Sequence, residues 1–147
     1  MNKILIIDSH AIAHSVKYSL IHLTYDEQSV GVILGFLRKI YSLATKFDTH
    51  KIVFTWDSKR RRRKTIYPNY KSKRTENKSA EMQAIDKLVY PQIDDLRFSI
   101  IPGLGFKNSF IQSGLEADDI IAVITEIPTT EEKIIISGDH DLYQLLD

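Results

Sequence analysis

The chain is 147 residues long, 43% hydrophobic and 27% charged, a size and composition that allow one globular domain with a buried core. It has no cysteine, which excludes disulfides and thiolate metal sites and favours a reducing cytoplasm. The formal net charge is only +1, and no apolar run approaches the roughly 20 residues of a membrane span. We therefore expect a cytoplasmic protein with no membrane partner.

Four short apolar segments predict β-strands. Residues 4–7, 51–56 and 133–137 are rich in β-branched side chains, as is typical of parallel strands that are buried on both faces. Residues 98–101 form a weaker candidate strand, which Pro102 closes.

Segments with helical spacing of apolar side chains separate these strands. The spacing is clear at residues 29–46 and 115–127 and looser at 79–96, where Pro91 is expected to kink or break the helix. A further short helix is predicted near Asp141. Strands that alternate with helices indicate an α/β fold with a mostly parallel sheet.

Positive charge is concentrated directly after the second predicted strand. Ten of the twenty Lys and Arg residues lie there, and only Glu76 opposes them, so this segment has a net charge of +9 and the remainder −8. Such a split is typical of a polyanion-binding element on an acidic body, although a solvated surface run gives the same pattern. The ten residues are Lys59, Arg60, Arg61, Arg62, Arg63, Lys64, Lys71, Lys73, Arg74 and Lys78.

Seven carboxylates fall where strands end or a helix begins. Asp8 follows the first strand, Asp57 the second and Asp139 the last, and ligand sites in open parallel sheets lie outside these carboxyl ends. A fourth group belongs to the segment GLEADD, whose acidic residues occupy the first turn of a predicted helix. The seven are Asp8, Asp57, Glu116, Asp118, Asp119, Asp139 and Asp141.

A cluster of this kind suggests a metal site. Its members would repel one another and raise their pKa values unless cations neutralised them. Oxygen-rich sites without thiolates suit Mg²⁺ or Mn²⁺, and two such ions about 4 Å apart can activate water in phosphodiester cleavage. Each acidic group alone could instead cap a helix or stabilise its dipole. Their coincidence at one sheet edge favours the metal site.

His10 and His14 are four residues apart on a predicted helix, a spacing that can bind zinc. No acidic residue lies between them as it does in the zincin pattern. We therefore expect a surface or core role for this pair of histidines.

The motifs, in this order, resemble those of a known family. The segments ILIIDSHAIAH, VFTWDSK, YPNYKSKR, GLEADDIIAVI and IIISGDHDLYQLL are similar to the N-terminal domain of bacterial and bacteriophage 5′-3′ exonucleases and flap endonucleases. That family includes the 5′ nuclease domain of DNA polymerase I and phage RNase H-type enzymes. The resemblance implies a PIN-like three-layer sandwich, with helices on both faces of a mostly parallel sheet and a basic helical arch inserted after the second strand.

The resemblance also implies two bound divalent ions, Mg²⁺ or Mn²⁺. The family's first metal cluster is matched by Asp8, Asp57, Glu116 and Asp118, with Asp119 beside them. Ligands of the second metal are matched by Asp139 and Asp141.

Residues of the arch are expected to contact nucleic acid. Lys71 and Arg74 match basic residues that approach the scissile phosphate, and together with Asp118 they are the predicted catalytic residues. Tyr67 and Tyr70 could stack on splayed bases or pack the arch against the body. Further predicted DNA contacts are Arg60, Arg61, Arg62, Arg63, Lys64 and Lys73.

We expect residues 1–147 to form one 5′ nuclease N-terminal domain, with the arch at about residues 58–80. Family members continue into a helix-hairpin-helix-type domain that grips duplex DNA and supplies further aspartates to the second metal. That C-terminal domain is expected to be absent here, through truncation or natural shortness or because a separate helical chain supplies it. The second metal site of this chain is therefore expected to be incomplete.

The leading prediction for function is a structure-specific 5′ nuclease of a bacterium or bacteriophage, which cuts DNA flaps, nicks or RNA primers by a two-metal mechanism. The alternative is a catalytically incomplete nuclease-like module that binds branched DNA without cutting it and needs a C-terminal partner chain. The expected nucleic-acid partner is branched, flap or nicked DNA, or an RNA–DNA hybrid. A phosphoacceptor receiver domain would also use aspartates such as Asp8 and Asp57. It would need a second acidic residue at the first strand, however, and would leave the basic segment unexplained.

Overall fold

The computed structural model of the protein describes residues 2–59 and 78–145. The first part contains β1 (Lys3–Asp8), α1 (Ser9–Val16), β2 (Thr24–Tyr25), β3 (Gln28–Ser29), α2 (Gly31–Phe47) and β4 (Ile52–Trp56). The second part contains α3 (Ala80–Asp95), a π-helical segment (Leu96–Ile100), the short turn α4 (Ile101–Gly103), β5 (Ser109–Ile111), α5 (Ala117–Glu126), β6 (Glu132–Ile136) and a 3₁₀ helix (His140–Leu145). Within these two parts, no helix combines the length and the apolar character that crossing a membrane requires.

The sheet is four-stranded and parallel, in the order β5, β4, β1, β6. β1 lies inside it, where Leu5 pairs with Ile52 of β4 on one side and with Ile134 of β6 on the other. Because the strands are parallel, their carboxyl ends lie at one edge of the sheet. The prediction of an α/β fold with a mostly parallel sheet is confirmed.

Helices cover both faces of the sheet, because successive side chains of a strand point to opposite sides. Leu5 and Ile7 belong to the larger core, which α1, α2 and α3 complete. Ile6 faces the other way and packs with Ile121 of α5 and Leu142 of the 3₁₀ helix. The predicted three-layer arrangement is confirmed.

The prediction of a strand at residues 98–101 is wrong. These residues lie in the π-helical segment and α4, which continue directly from α3, and the fourth strand of the sheet is β5. Leu96 and Ile101 are fully buried in the larger core, whereas Phe98 is exposed. A short apolar run fits a helix as well as a strand, and here packing against the core selected the helix.

The expected break at Pro91 is also absent, because α3 runs through this residue. The neighbouring Gln92 is buried and accepts hydrogen bonds from the N–H groups of Val32 and Ile33, in the first turn of α2. Its side-chain amide also donates to the carbonyl of Leu88, one turn earlier in α3. The hydrogen bonds of Gln92 therefore support α3 next to Pro91, which has no N–H group to donate to the helix.

Candidate metal centre

A cavity of about 460 Å³ opens at the carboxyl edge of the sheet. The residues that line it come from the ends of β1 and β4, from α1, from the N-terminus of α5 and from the loop after β6. Five of the seven predicted ligands are among them, namely Asp8, Asp57, Glu116, Asp118 and Asp139. The fold therefore gathers carboxylates that are up to 131 positions apart in the sequence, the separation of Asp8 and Asp139.

Asp8 is the last residue of β1 and the N-cap of α1. Its Oδ1 accepts a hydrogen bond from the N–H of Ala11 at 3.0 Å, and its Oδ2 accepts one from Oγ of Ser137 at 2.8 Å. Burial raises the pKa of Asp8, the two hydrogen bonds oppose that rise, and the negative charges of Asp57 and Asp118 add to it. A cation in the cavity would offset both the cost of burying the Asp8 charge and its repulsion by Asp57 and Asp118.

Asp57 follows β4 and links this strand to α5. Its Oδ1 accepts a hydrogen bond at 2.7 Å from the N–H of Ala117, the first residue of that helix. The first N–H groups of a helix have no partner within it, so a carboxylate is a favourable cap there. Asp57 is therefore both a helix-capping residue and part of the cavity wall.

The start of α5 contributes two further carboxylates to the wall, those of the buried N-cap residue Glu116 and of Asp118. The N–H of Glu116 donates to Oδ2 of Asp119 at 3.0 Å, as part of a capping box. The N–H of Asp119 donates to Oδ1 of Asp118 at 2.8 Å. Asp119 is not among the cavity-lining residues, and its role as a ligand stays a prediction.

The loop after β6 holds its aspartates differently. Asp139 is exposed and lines the cavity, and its N–H donates to Oγ of Ser137 at 3.1 Å. Asp141, also exposed, lies in the first turn of the 3₁₀ helix, donates its N–H to Oδ1 of Asp139 at 2.9 Å and does not line the cavity. Of the two predicted ligands of the second metal, Asp139 lines the cavity, and the role of Asp141 stays a prediction.

The donor set fits hard divalent ions, because the cavity is lined by carboxylates and the protein has no thiolate. Among the residues that the structure describes, no three His, Asp or Glu side chains are close enough together to enclose an ion. Like charges repel, and a cation bound among these carboxylates would neutralise that repulsion.

His10 and His14 also line the cavity, at half-buried positions of α1. Their rings lie on one side of α1 with centroids 5.0 Å apart, and the ring of His14 contacts Tyr90 edge-on at 6.0 Å. Burial, with the positive charges of His10 and Lys17, lowers the pKa of His14 to about 4. The His14 side chain is therefore uncharged at pH 7 and lines the cavity as a half-buried aromatic ring.

Three residues that shape the site were not predicted from the sequence, namely Ser137, Ser58 and Arg97. Ser137 contacts both Asp8 and Asp139, and its place in the segment IIISGDHD, between a strand and two aspartates, was the available signal. Ser58, next to Asp57, is buried, and its Oγ accepts a hydrogen bond from the N–H of Gly114 at 2.9 Å. Arg97 donates to the carbonyl of Asp57 from 40 positions away, and nothing in its local sequence indicated this.

The basic and aromatic residues predicted to contact DNA lie outside the described residues, as does most of the predicted arch. These residues are Arg60, Arg61, Arg62, Arg63, Lys64, Tyr67, Tyr70, Lys71, Lys73 and Arg74. Their roles, including the catalytic roles of Lys71 and Arg74, stay predictions.

Comparisons with known proteins agree with this architecture. The family described as "5′-3′ exonuclease, N-terminal resolvase-like domain" matches residues 3–147. The chain is similar to the T5 D15 protein co-crystallised with metal ions, with a TM-score of 0.78 at 21% sequence identity, over 99% of this chain and 52% of that chain. No curated protein is significantly similar in sequence.

Two further solved structures share the fold over 99% of this chain and 52% of theirs. One is T5 5′-exonuclease with bound divalent metal ions (zinc), at a TM-score of 0.77 and 22% identity. The other is a variant of the bacteriophage T5 D15 flap endonuclease in a pseudo-enzyme-product complex with DNA and metal ions, at a TM-score of 0.76 and 18% identity. The chain thus spans about half the length of these proteins.

Proposed function

Because the chain belongs to the family of 5′-3′ exonuclease N-terminal, resolvase-like domains, we propose that it is the catalytic part of a metal-dependent, structure-specific 5′ nuclease. Its reaction is the hydrolysis of phosphodiester bonds in DNA flaps, nicks or RNA primers. The observation that carries this proposal is the single cavity that five carboxylates line, delivered by three strand ends and the start of one helix.

The carboxylates divide between two ions, Mg²⁺ or Mn²⁺. The first would be held by Asp8, Asp57, Glu116 and Asp118, with Asp119 beside them, and the second by Asp139 and Asp141. When bound, such ions activate water and stabilise the charge that develops on the phosphate. The chain's own contribution is to hold Asp8 and Asp57 in place through backbone N–H groups, which reduces the ordering that metal binding requires.

The basic segment would supply the substrate contacts. Lys71 and Arg74 would neutralise the scissile phosphate, and Tyr67 and Tyr70 would stack on bases, while the neighbouring arginines hold the backbone. The complex of the T5 flap endonuclease with DNA and metal ions supports DNA as the partner class. We place the protein in the cytoplasm, as a replication nuclease of bacterial or bacteriophage origin.

We further propose that residues 1–147 act as one nuclease domain, with an arch at about residues 58–80. A helical C-terminal domain, in the same polypeptide or in a separate chain, would complete the second metal site and grip duplex DNA. The exposure of Asp139, and the fact that Asp141 is not among the cavity-lining residues, support this need for completion.

The proposal is tested with Asp118→Asn on a 5′-flap DNA substrate in Mg²⁺ or Mn²⁺. Cleavage should be abolished while binding of the flap survives, because one ligand is lost and the DNA contacts are kept. Glu126→Gln is the matched control, since Glu126 is exposed at the other end of the same helix. Undiminished cleavage by Asp118→Asn would exclude this site as the nuclease centre.

A second candidate is a module that binds branched DNA without cutting it. It is favoured by Asp141, a predicted ligand that does not line the cavity. This candidate predicts that the chain stays inactive even when it is joined to a helical C-terminal domain from the family. Robust turnover by the joined protein would exclude it.

A further inference from the structure

Arg97 occupies an unusual place for an arginine. Only 6% of it is exposed, although arginine is mostly found at protein surfaces. It lies in the π-helical segment, and π-helical turns are rare and often lie at functional sites. Its Nε is buried without a hydrogen-bond partner among the described residues, an unfavourable arrangement that calls for an explanation.

The guanidinium of Arg97 connects the candidate metal centre to α3. One terminal nitrogen donates to the backbone carbonyl of Asp57 at 3.1 Å, and the other donates to Oδ1 of Asp94 at 2.6 Å. The group also lies 4.7 Å from the centre of the Phe98 ring. A planar guanidinium with two fixed donors holds its two acceptors at a set separation, which a single lysine ammonium does not do.

The backbone at Asp57 and Ser58 is also held by the loop before α5 and by the start of that helix. The N–H of Ser58 donates to the carbonyl of Leu115 at 3.0 Å, and the Asp57 carboxylate accepts from Ala117 at 2.7 Å. Asp57 is therefore held by two elements, by Arg97 of the π-helical segment at its carbonyl and by Ala117 of α5 at its carboxylate. A shift of the Asp57 backbone would move its carboxylate relative to both Ala117 and the cavity.

Asp94 extends the connection to the start of the basic segment. Its second oxygen lies 3.5 Å from Nζ of Lys59, two residues after Asp57. Lys59 is well exposed, so this pair is weak by itself. Asp94 nevertheless contacts both Arg97 and the residue that follows the Asp57–Ser58 turn.

We propose that Arg97 is a positioning residue, which acts through the Asp57 backbone to hold the Asp57 carboxylate at the cavity. The proposal rests on the proposed function in one respect, that Asp57 is a metal ligand. Arg97 touches neither substrate nor ion in this role. Its replacement should weaken metal binding without changing the ligand set, as is found for outer groups that orient metal ligands.

The test compares Arg97→Lys with Arg38→Lys, a matched change at the other arginine of the described residues, which is exposed on α2. Two quantities are measured: the hydrogen-exchange protection of the Ala117 amide and the dissociation constant for Mn²⁺. We expect Arg97→Lys to lower the Ala117 protection at least tenfold and to weaken Mn²⁺ binding about tenfold. Arg38→Lys should change neither quantity.

A merely structural role gives a different result. The Leu5 amide, which donates to the Lys51 carbonyl inside the sheet, serves as the reference. Equal loss of protection at Leu5 and Ala117, or unchanged protection at Ala117 in a folded Arg97→Lys variant, would overturn the proposal. If Arg97→Lys does not fold, Asp94→Asn replaces it, because that side chain is 39% exposed, and unchanged Ala117 protection there would also overturn the proposal.

The two proposals fail in distinguishable ways. If the unaltered chain binds no Mn²⁺, and cuts no flap even when it is joined to a helical C-terminal domain from the family, the nuclease proposal fails. The Ala117 amide still reports the position of the Asp57 carboxylate without any ion, so it decides the role of Arg97 independently.

Discussion

β1 and β6 are neighbouring parallel strands, and their carboxylates, Asp8 and Asp139, differ in burial. β1 lies inside the sheet, where Leu5, Ile6 and Ile7 are fully buried and Asp8 is only 7% exposed. β6 lies at the sheet edge, where residues 134–136 are half-buried and Asp139, in the loop that follows, is exposed. Position in the sheet thus sets how firmly each carboxylate is supported.

The hydrogen bonds follow the same division. Both oxygens of Asp8 accept hydrogen bonds, from the helix that follows it and from Ser137. The Asp139 carboxylate accepts a hydrogen bond from the N–H of Asp141, which is only two residues away and is also exposed. We therefore expect Asp8 to be in place before an ion binds, and Asp139 to be ordered largely by the ion.

The largest expected effect is on the free energy of unfolding, when a side chain of β1 or β6 is truncated in one of the two cores. Leu5→Ala should lower the free energy of unfolding by about 3 kcal/mol, because Leu5 is fully buried in the larger core. Ile135→Ala should cost only about 1 kcal/mol, since that side chain is half-buried beside the smaller core. Denaturant unfolding of both variants measures the difference. Equal costs would contradict the contrast between centre and edge.

The next effect concerns metal affinity, measured by calorimetric titration with Mn²⁺. Asp8→Asn should weaken binding on the order of 100-fold, because it removes a supported ligand, and Asp139→Asn should weaken it less than about tenfold. Asp95→Asn, at an exposed position of α3, is the control and should bind as the unaltered chain does. A larger loss at Asp139 than at Asp8 would reverse the comparison.

Ser137→Ala tests a side chain that contacts both Asp8 and Asp139. Its Oγ donates to Asp8 and accepts from the N–H of Asp139, so its loss should loosen both carboxylates and weaken Mn²⁺ binding about tenfold. Ser42→Ala, exposed on α2, is the matched control. Unchanged Mn²⁺ affinity in Ser137→Ala would mean that Asp8 and Asp139 are held in place independently of Ser137.

The smallest effect is a pH dependence at Asp8. Its pKa in the folded protein is raised above the ordinary 3.8, so its contribution to stability is full below 3.8 and is lost as the pH rises through the folded pKa. Without metal, Asp8→Asn should therefore gain stability relative to the unaltered chain between pH 3 and pH 7. Thermal unfolding across that range measures the gain, and Mg²⁺ should reduce it. A gain that shrinks with rising pH would contradict the assigned cause.

Local sequence was sufficient for most of the fold. The β-branched runs at residues 4–7, 51–56 and 133–137 are strands, and the periodic segment at residues 29–46 is largely the helix α2. Acidic residues that directly follow such strands had to reach one edge once the sheet was parallel. The shared position of Asp8, Asp57 and Asp139 at the cavity was therefore predictable before any tertiary contact was known.

Tertiary structure decided what local pattern left open. Residues 98–101 became helical because Leu96 and Ile101 fill the larger core, and a four-residue apolar run does not distinguish helix from strand. The hydrogen bonds that prepare the site join Arg97 to Asp57 across 40 positions and Ser137 to Asp8 across 129. Such contacts depend on which elements pack together. The sequence by itself therefore determined that Asp8, Asp57 and Asp139 reach one edge of the sheet, and only packing decided how firmly each is held.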